Sequence, residues 1–234
     1  MNHSVSVVMT AFDAERYIEE ALRSVLDQTV PPDEIVVVDD GSTDDTAAIA
    51  ASFAPRVTVL RREHAGIGVS RNAGLAAAHG SLVALIDADD VWLPAKLERQ
   101  HAAFADDPSR EAVFCLFDEF VDVNDPAPPG TRAPRTRQSA SLSTGILLPR
   151  AVVDRIGPFA TGTTGDWVAW WAHARTLGVA EHVVPEVLYR RRIHSRNTSF
   201  VHRDDGQAFA GIARRHLREL RARPRGDRAE VEER

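Results

Sequence analysis

The sequence predicts an α/β fold in which a mostly parallel central sheet carries helices on both faces. Strand and helix patterns alternate through roughly the first hundred residues, as they do in parallel sheets with crossover helices. The strand runs are nearly continuous in Val, Ile and Leu, which indicates burial on both faces of the sheet. Hydroxyl and acidic side chains follow three of these strands, and such sheets bind ligands at the carboxyl ends of their strands.

Short β-branched runs predict strands, and apolar residues at helical spacing predict helices. The predicted strands of the first half are Val5–Phe12, Ile35–Val38, Arg56–Arg62 and Ser81–Asp87. The helices between them are 14–28, 41–54 and 68–80. Asp13 is expected to cap the first helix, and Gly80 to end the third. Ser42 and Asp45 stand in capping-box positions for the second helix.

The second half of the chain is less regular. Its predicted helices are 94–108, a short helix within 145–159, and 165–178. Its predicted strands are 111–123, a short strand at the start of 145–159, and 181–193. Asn124–Ser143 is rich in Pro, Ser, Arg and Gly, which predicts a mobile loop. Residues 204–234 are predicted to form a charged helix and a frayed tail.

The composition disfavours several classes of protein. The chain has 234 residues, is 44% hydrophobic and carries a formal net charge of −6, which suits one α/β domain and argues against a nucleic-acid partner. One cysteine, Cys115, allows no internal disulfide and fits a reducing cytoplasm. We find no signal-peptide pattern and no apolar run of roughly 18 residues, so we expect a cytoplasmic protein. Peripheral contact of the Arg-rich C-terminal stretch with the inner face of the membrane is an alternative.

An acidic cluster follows the fourth predicted strand. Asp87, Asp89 and Asp90 stand together, and in an extended segment Asp87 and Asp89 would point to the same side. An isolated D-x-D is more often a solvated turn, but this one ends an apolar strand and shares a rim with Asp40. Carboxylate oxygens suit Mg²⁺ or Mn²⁺, and these ions commonly bridge to phosphate. The cluster therefore predicts a divalent-metal and phosphate site.

A second acidic pair follows the second strand, in "VVVDDGSTDDT". Asp39 or Asp40 could accept a hydrogen bond from a base or ribose, and Gly41 permits the tight turn that follows. Helix capping explains Ser42 but does not explain two consecutive aspartates.

These segments resemble the family-2 glycosyltransferases of the GT-A fold. The resemblance rests on "VSVVMTAFDAERYIEEALRSVLDQT", "IVVVDDGSTDDT", "GVSRNAGLAAAHGSLVALIDADDVWLP" and "IGPF…GDW". It is strong over Val5–Pro94 and looser over Thr144–Ser199. It implies a single GT-A domain over 1–203, with a nucleotide-binding half (1–94) and an acceptor half (95–203).

The resemblance also implies roles for nucleotide-binding residues. Thr10 and Asp40 match positions that hold the base, and Arg71 in "SRNAG" matches an arginine near the nucleotide. Asp87 matches the ribose-side member of the D-x-D.

Three further positions are implied to carry the metal and the chemistry. Asp89 matches the aspartate that binds metal and diphosphate, and His194 matches a histidine that closes over both. Asp166 in "TTGDW" matches the general base, although a helix N-cap is its plainer interpretation. The family's usual Glu before that base is Gly165 here, so the contacts that this Glu makes to the acceptor are not expected in this chain.

The sequence therefore predicts an inverting transferase that uses Mn²⁺ or Mg²⁺ and a UDP-sugar. Its acceptor is a glycan, a lipid-linked sugar, a metabolite or a peptide. A sugar nucleotidyltransferase is one alternative, but it would need a glycine-rich loop after the first strand, and "MTAFDAERY" has no glycine. A non-catalytic nucleotide-sugar-binding scaffold is another, and it would be expected to lack Asp89 or Asp166.

Overall fold

A computed structural model describes residues 3–126, 129–139, 141–163 and 165–197. In this part of the chain eight strands form one sheet in the order β3-β2-β1-β4-β7-β6-β8-β5. The strands are β1 (Val5–Ala11), β2 (Glu34–Asp39), β3 (Thr58–Arg61), β4 (Leu82–Asp87), β5 (Val91–Trp92), β6 (Ala112–Val121), β7 (Leu147–Pro149) and β8 (Glu181–Ile193).

Six helices accompany the sheet within the described ranges. They are α1 (Ile18–Leu26), α2 (Thr46–Ala51), α3 (Ile67–Ala77), α4 (Lys96–Asp106), α5 (Arg150–Ile156) and α6 (Asp166–Thr176). A short 3₁₀ turn, Ser143–Gly145, precedes β7. The elements predicted between residues 5 and 193 are therefore present, with ends that differ from the predicted ones by up to five residues, whereas the short strand β5 was not predicted.

The first four strands form a parallel block. β1 pairs with β2 and β4, and β2 pairs with β3, all in parallel. All seven residues of β1 are buried, as a strand covered on both faces requires. The register places Thr10 of β1 beside Val38 and Asp87, so the carboxyl ends of three strands meet at one edge.

Antiparallel pairings appear only in the second half of the described sheet. β7 pairs antiparallel with β4 and β6, and β5 pairs antiparallel with β8, whereas β6 and β8 are parallel. The sheet is thus mostly parallel, as predicted. The β5–β8 pairing sets Val91 opposite Arg190, which brings the end of β8 beside the acidic turn after β4.

Helices cover both faces of the sheet, as predicted. One core contains residues of α1, α2 and α4, and the other contains residues of α3, α5 and α6. Gly74 lets α3 lie close to the sheet, since a Cβ there would stand 2.3 Å from Cγ1 of Val8. The three tryptophans of α6 are buried in the second core and serve packing: Trp167, Trp170 and Trp171.

Three predicted helix caps are wrong. α3 ends at Ala77 with Ala78 as its C-cap, so Gly80 does not end it, and the backbone N–H of Gly80 instead donates to Oγ of Ser6 at 2.7 Å. α1 begins at Ile18, after a turn, so Asp13 is too far away to cap it; Oδ1 of Asp13 instead accepts from the backbone N–H of Thr43 at 2.8 Å. α2 begins at Thr46, and Oγ of Ser42 accepts from the backbone N–H of Asp13 at 3.0 Å. These side chains therefore tie together the two loops that follow β1 and β2.

The predicted loop 124–143 contains no helix or longer strand in its described residues, apart from a bridge between Gln138 and Phe117 and the 3₁₀ turn that begins at Ser143. Both carboxylate oxygens of Glu119 accept from Arg132, at 2.5 and 2.7 Å, and so fix the loop to β6. The predicted helix and tail at 204–234 lie outside the described residues. None of the described helices has the length and apolarity needed to cross a bilayer.

Candidate functional site

A cleft of about 750 Å³ opens at the carboxyl ends of β1, β2 and β4. Five of the seven predicted site residues line it: Thr10, Asp40, Asp87, Asp89 and His194. The other two, Arg71 and Asp166, are only 4% and 2% exposed and lie behind the wall of the cleft. The fold thus gathers all seven residues at one edge of the sheet.

The acidic cluster is a turn and does not continue the strand. β4 ends at Asp87, and the backbone N–H of Asp90 donates to the carbonyl of Asp87 at 3.1 Å. Extended geometry therefore does not explain why Asp87 and Asp89 lie together, which corrects the premise of that prediction. Both still line the cleft, but each faces a different partner.

The partner of Asp89 is His194. Nε2 of His194 lies 2.9 Å from Oδ2 of Asp89, and Nδ2 of Asn197 donates to the same oxygen at 3.2 Å. Nδ1 of His194 accepts from the backbone N–H of Arg196 at 3.2 Å, so in a neutral ring the proton lies on Nε2 and is donated to Asp89.

Three contacts hold His194 over the cleft. The rings of Tyr17 and His194 have centroids 4.6 Å apart. The hydroxyl of Tyr17 donates to Oδ2 of Asp125 at 2.8 Å, and the hydroxyl of Ser195 donates to Oδ1 of the same carboxylate at 2.6 Å. Asp125 therefore joins α1 to the turn that carries His194.

A buried guanidinium supports the backbone of the acidic turn. Nε of Arg192 donates to the carbonyl of Asp89 at 3.0 Å, and Nη1 donates to Asp122 at 2.9 Å. Nη2 donates to Glu20 of α1. Arg192 thus connects the D-x-D turn with α1 and with the end of β6.

Asp90 is buried beneath the same turn. Its two oxygens accept from the hydroxyl of Thr144 at 2.7 Å and from the backbone N–H of Arg192 at 3.1 Å. Burial, and then the charges of Asp89 and Asp87, raise the pKa of Asp90 well above its ordinary value. Asp90 is therefore a structural member of the cluster, shielded from the cleft.

Asp40 organises the start of α3. Its carboxylate accepts from the backbone N–H groups of Ala65 at 3.1 Å and Gly66 at 2.9 Å, and from the hydroxyl of Ser70 at 2.8 Å. Asp39 is fully buried, and its Oδ1 accepts from the backbone N–H of Ser42 at 3.2 Å. Of the two aspartates, only Asp40 reaches the cleft.

Arg71 lies between two carboxylates. Nη1 donates to Oδ2 of Asp166 at 2.7 Å, and Nη2 donates to Oδ1 of Asp87 at 2.9 Å and to the hydroxyl of Ser143 at 3.1 Å. Burial raises the pKa of Asp166, and the charge of Arg71 offsets part of that rise. The predicted base thus has a guanidinium on Oδ2 and an environment that makes it a stronger base than a free carboxylate.

Two aromatic side chains at the mouth of the cleft escaped the sequence reasoning. Phe12 is 47% exposed, and its ring centroid lies 4.3 Å from that of His64. Nδ1 of His64 lies 3.0 Å from Oδ2 of Asp40. Phe12 ends the first predicted strand at the edge where the polar residues gather, and that position is the sequence signal that could have identified it.

The supporting residues of the acidic turn were also missed. Tyr17 lies within the predicted first helix, where it fits an apolar position, and Asp125 lies within the predicted loop 124–143. Arg192 belongs to the run "YRRRIHSR", in which four arginines follow one another closely and none is distinguished by local pattern. Asn197 lies three residues after His194 and also donates to Asp89. Its closeness to His194 in the chain is the sequence feature that could have suggested this contact.

Asp89 and His194 could hold a divalent ion if substrate phosphate oxygens supplied its other ligands. No group of three or more His, Cys, Asp or Glu side chains suited to an ion occurs in the described ranges. Mg²⁺ usually has one or two carboxylate ligands together with substrate phosphates, so a pair of protein ligands is enough. Nε2 of His194 would become a ligand only once its proton has moved to Nδ1 or left the ring, because in the neutral ring it donates that proton to Asp89.

The chain resembles known proteins over most of its length. A family model for glycosyl transferase family 2 matches residues 6–164. An uncharacterised glycosyltransferase of Rickettsia prowazekii is 27% identical over 210 residues, which is 83% of this chain and 65% of that relative. The chain thus spans less than two thirds of this curated relative.

Two solved structures share the fold. Staphylococcus aureus TarS 1–349 in complex with UDP-GlcNAc matches with a TM-score of 0.74 at 22% identity, over 93% of this chain and 66% of that chain. The mannosyltransferase PcManGT from Pyrobaculum calidifontis, in complex with GDP-Man and Mn²⁺, matches with a TM-score of 0.73 at 21% identity, over 93% of this chain and 65% of that one. These matches confirm the predicted GT-A fold.

Proposed function

Because the chain belongs to glycosyl transferase family 2, we propose that it transfers a sugar from a nucleoside-diphosphate sugar to an acceptor hydroxyl with inversion at the anomeric carbon. UDP is the proposed nucleotide, and Mn²⁺ or Mg²⁺ the proposed ion. The single observation that carries the proposal is the pairing of Asp89 with His194 at a cleft, with Asp166 buried behind its wall. The acceptor is proposed to be a glycan, a lipid-linked sugar, a metabolite or a peptide.

The nucleotide is proposed to lie at the ends of β1 and β2. Thr10 and Asp40 line that part of the cleft, and Phe12 offers an exposed ring on which a base can stack. Asp87 lines the cleft next to Asp89, where it can accept from a ribose hydroxyl. UDP-GlcNAc in the TarS structure supports uridine, whereas GDP-Man in PcManGT makes guanosine the alternative to test.

Asp89 and His194 are proposed to hold the divalent ion. When bound, the ion would neutralise the negative charge that develops on the departing diphosphate. Arg192 donates to the backbone carbonyl of Asp89, and Asn197 donates to its Oδ2. Oδ1 of Asn197 also accepts from the backbone N–H of His194 at 2.7 Å, so Asn197 holds both residues. Arg196 lines the cleft and adds a positive charge near the proposed diphosphate.

Asp166 is proposed to act as the general base. Its carboxylate takes the proton of the acceptor hydroxyl, whose oxygen attacks the anomeric carbon while the bond from that carbon to the diphosphate oxygen breaks. Attack and departure on opposite sides invert the configuration. Gly162 and Thr163 line the cleft just before α6, so we place the acceptor on that side. The scaffold alternative is not favoured, because the family is one of transferases and both carboxylates are present.

The proposal is tested by Mn²⁺-dependent hydrolysis of a panel of UDP- and GDP-sugars. We expect release of the nucleoside diphosphate by the wild type, loss of release and of Mn²⁺-dependent binding in Asp89→Ala, and loss of release with retained binding in Asp166→Ala. Asp154→Ala, an exposed change on α5, is the control. Binding without turnover in the wild type, unaffected by Mn²⁺, would support the scaffold alternative instead.

A further inference from the structure

The start of α3 makes contacts with both sides of the cleft through three consecutive residues. Ser70 donates to Asp40 on the proposed nucleotide side. Asn72 donates to the carbonyl of Phe159 at 3.0 Å and accepts from its backbone N–H at 2.8 Å. Arg71, between them, reaches Asp87 and Asp166. The helix therefore links the nucleotide half of the fold to the segment that leads into α6.

A close approach of backbone makes the Arg71 contacts possible. A Cβ at Gly68 would stand 2.2 Å from the carbonyl oxygen of Ala160 and 3.4 Å from Cβ of Asp166. Only glycine permits that distance, so the first turn of α3 packs directly against the chain before α6. The guanidinium of Arg71 then lies 5.5 Å from the ring centroid of Phe159 and within hydrogen-bond distance of Asp166.

The donors of Arg71 are directed at protein groups. Nη1 donates to Asp166, and Nη2 donates to both Asp87 and Ser143. The side chain of Arg71 is 5% exposed, whereas that of Asp87 is 35% exposed and lines the cleft. A nucleotide in the cleft would therefore meet Asp87 before it met Arg71.

We propose that Arg71 is a positioning residue that fixes the carboxylate of Asp166 relative to Asp87, and that it does not itself bind nucleotide. The inference rests on the proposed function, because it gives Arg71 a role in the work of the proposed base. With Oδ2 of Asp166 held by Nη1 of Arg71, Oδ1 is the oxygen that receives the acceptor's proton. Asp87 on the other arm of the same guanidinium sets the distance from the base to the donor.

The first experiment does not depend on activity. We compare the melting temperatures, without ligand, of the wild type, Arg71→Gln, Asp166→Asn and the double variant. Arg71→Gln leaves two carboxylates without their shared cation, so we expect a fall of at least about 3 °C. Adding Asp166→Asn to that variant should restore part of the loss. If Asp166→Asn changes the melting temperature equally in both backgrounds, the two residues are not coupled and the inference is wrong.

The second experiment separates positioning from nucleotide binding. Calorimetry with UDP and Mn²⁺ should give a Kd for Arg71→Gln within about threefold of the wild type, while kcat for sugar-nucleotide hydrolysis falls about 100-fold, as misplacement of a reacting group by about 1 Å can cause. Arg71→Lys should recover only part of kcat, since a single ammonium cannot replace the fork. A loss of UDP affinity of tenfold or more with unchanged kcat would overturn the inference.

Arg150→Gln is the matched control. Arg150 donates to the carbonyls of Leu75 and Ala78 at the far end of the same helix, at 2.9 and 2.6 Å. Its replacement should lower the melting temperature without lowering kcat. If Asp166→Asn keeps full activity while the thermal coupling to Arg71 is present, the proposed base is wrong but the structural link is real, so the two failures are distinguishable.

Discussion

Nε2 of His194 lies 2.9 Å from Oδ2 of Asp89, although 105 residues separate them in the chain. The contact exists because β5, directly after the acidic turn, pairs with β8, directly before His194. The sheet therefore completes the proposed metal site only when its last strand is in place. Because one segment supplies Asp89 and the other supplies His194, we expect loss of either side chain to weaken metal-dependent binding equally.

We expect Asp89→Asn and His194→Ala each to weaken Mn²⁺-dependent UDP binding about 100-fold, which corresponds to ~2.7 kcal/mol. The reason is that an ion with two protein ligands loses half of them with either change. Isothermal titration of UDP into protein with and without Mn²⁺ measures the effect. Asp154→Asn should bind like the wild type, and equal binding by Asp89→Asn with Mn²⁺ would contradict the assignment.

A second prediction concerns the pH dependence of turnover. Burial raises the pKa of Asp166, and a general base works only when ionised. The hydrolysis rate at saturating sugar nucleotide should therefore fall as the pH drops through a pKa above the ordinary aspartate value of about 3.9. Asp166→Asn should lose roughly 100- to 10,000-fold in kcat and show no such acidic limb.

A full rate–pH profile of both proteins is the measurement for this prediction. UDP binding by Asp166→Asn, followed over the same range, serves as the control for donor binding at low pH. An acidic limb that persists unchanged in the Asn variant would assign the titration to another group and remove Asp166 from the role of base.

The parallel half of the fold was predictable because three of its four strands, β1, β2 and β4, are buried on both faces and form apolar runs in the sequence. The acidic groups at strand ends were predictable from the same rule, since parallel strands present their carboxyl ends at one edge. The role of Asp13 could not be predicted, because a φ of +46° turns the chain there and brings Asp13 to the loop after β2. Helix-cap rules apply to local sequence, and this contact is made 30 residues away.

The side-chain contacts that support the site could not be predicted from the sequence for a similar reason. Tyr17 and Asp125 are 108 residues apart, and Tyr17 fits an ordinary apolar helix position. Arg71 was assigned to the nucleotide through family resemblance, while its contacts in the structure are carboxylates and a hydroxyl. Side-chain pairs between distant segments follow from how the elements pack, and local pattern does not contain that information.

The link through Tyr17 gives a third prediction. Tyr17→Phe keeps the ring beside His194 but removes the hydrogen bond to Asp125, so the turn at 194–197 loses one of its anchors. We expect about 3- to 10-fold weaker UDP binding in Mn²⁺, equal to ~0.7–1.4 kcal/mol, with a similar melting temperature. Calorimetry measures the affinity.

Ser195→Ala removes the other hydrogen bond to Asp125 and should have an effect of the same size. If the effect of Tyr17→Phe is the same with and without Mn²⁺, the hydroxyl does not act through the proposed metal site.

The only lysine of the chain gives the last prediction. Lys96 is fully buried, with Nζ 2.8 Å from Oε1 of Gln100 and 3.9 Å from the ring centroid of Trp92. Burial lowers the pKa of Lys96 from 10.5 to about 8. Below pH 8 the folded protein holds a buried ammonium, and a shift of this size corresponds to a cost of about 3 kcal/mol.

Between about pH 8 and 10.5 the unfolded chain keeps the proton that the folded protein has released, so the stability of the wild type rises with pH across that window. Lys96→Met removes this dependence and should be more stable at pH 7 by about 2 kcal/mol, because roughly 1 kcal/mol is lost when Gln100 loses its donor. Urea titrations of both proteins at pH 7 and pH 10 measure the difference, which should shrink at the higher pH.

Arg99→Met, on the exposed side of α4, is the control for the change of residue type. A Met variant less stable than the wild type at pH 7 would mean that the contacts of Lys96 with Trp92 and Gln100 outweigh the cost of burying its charge.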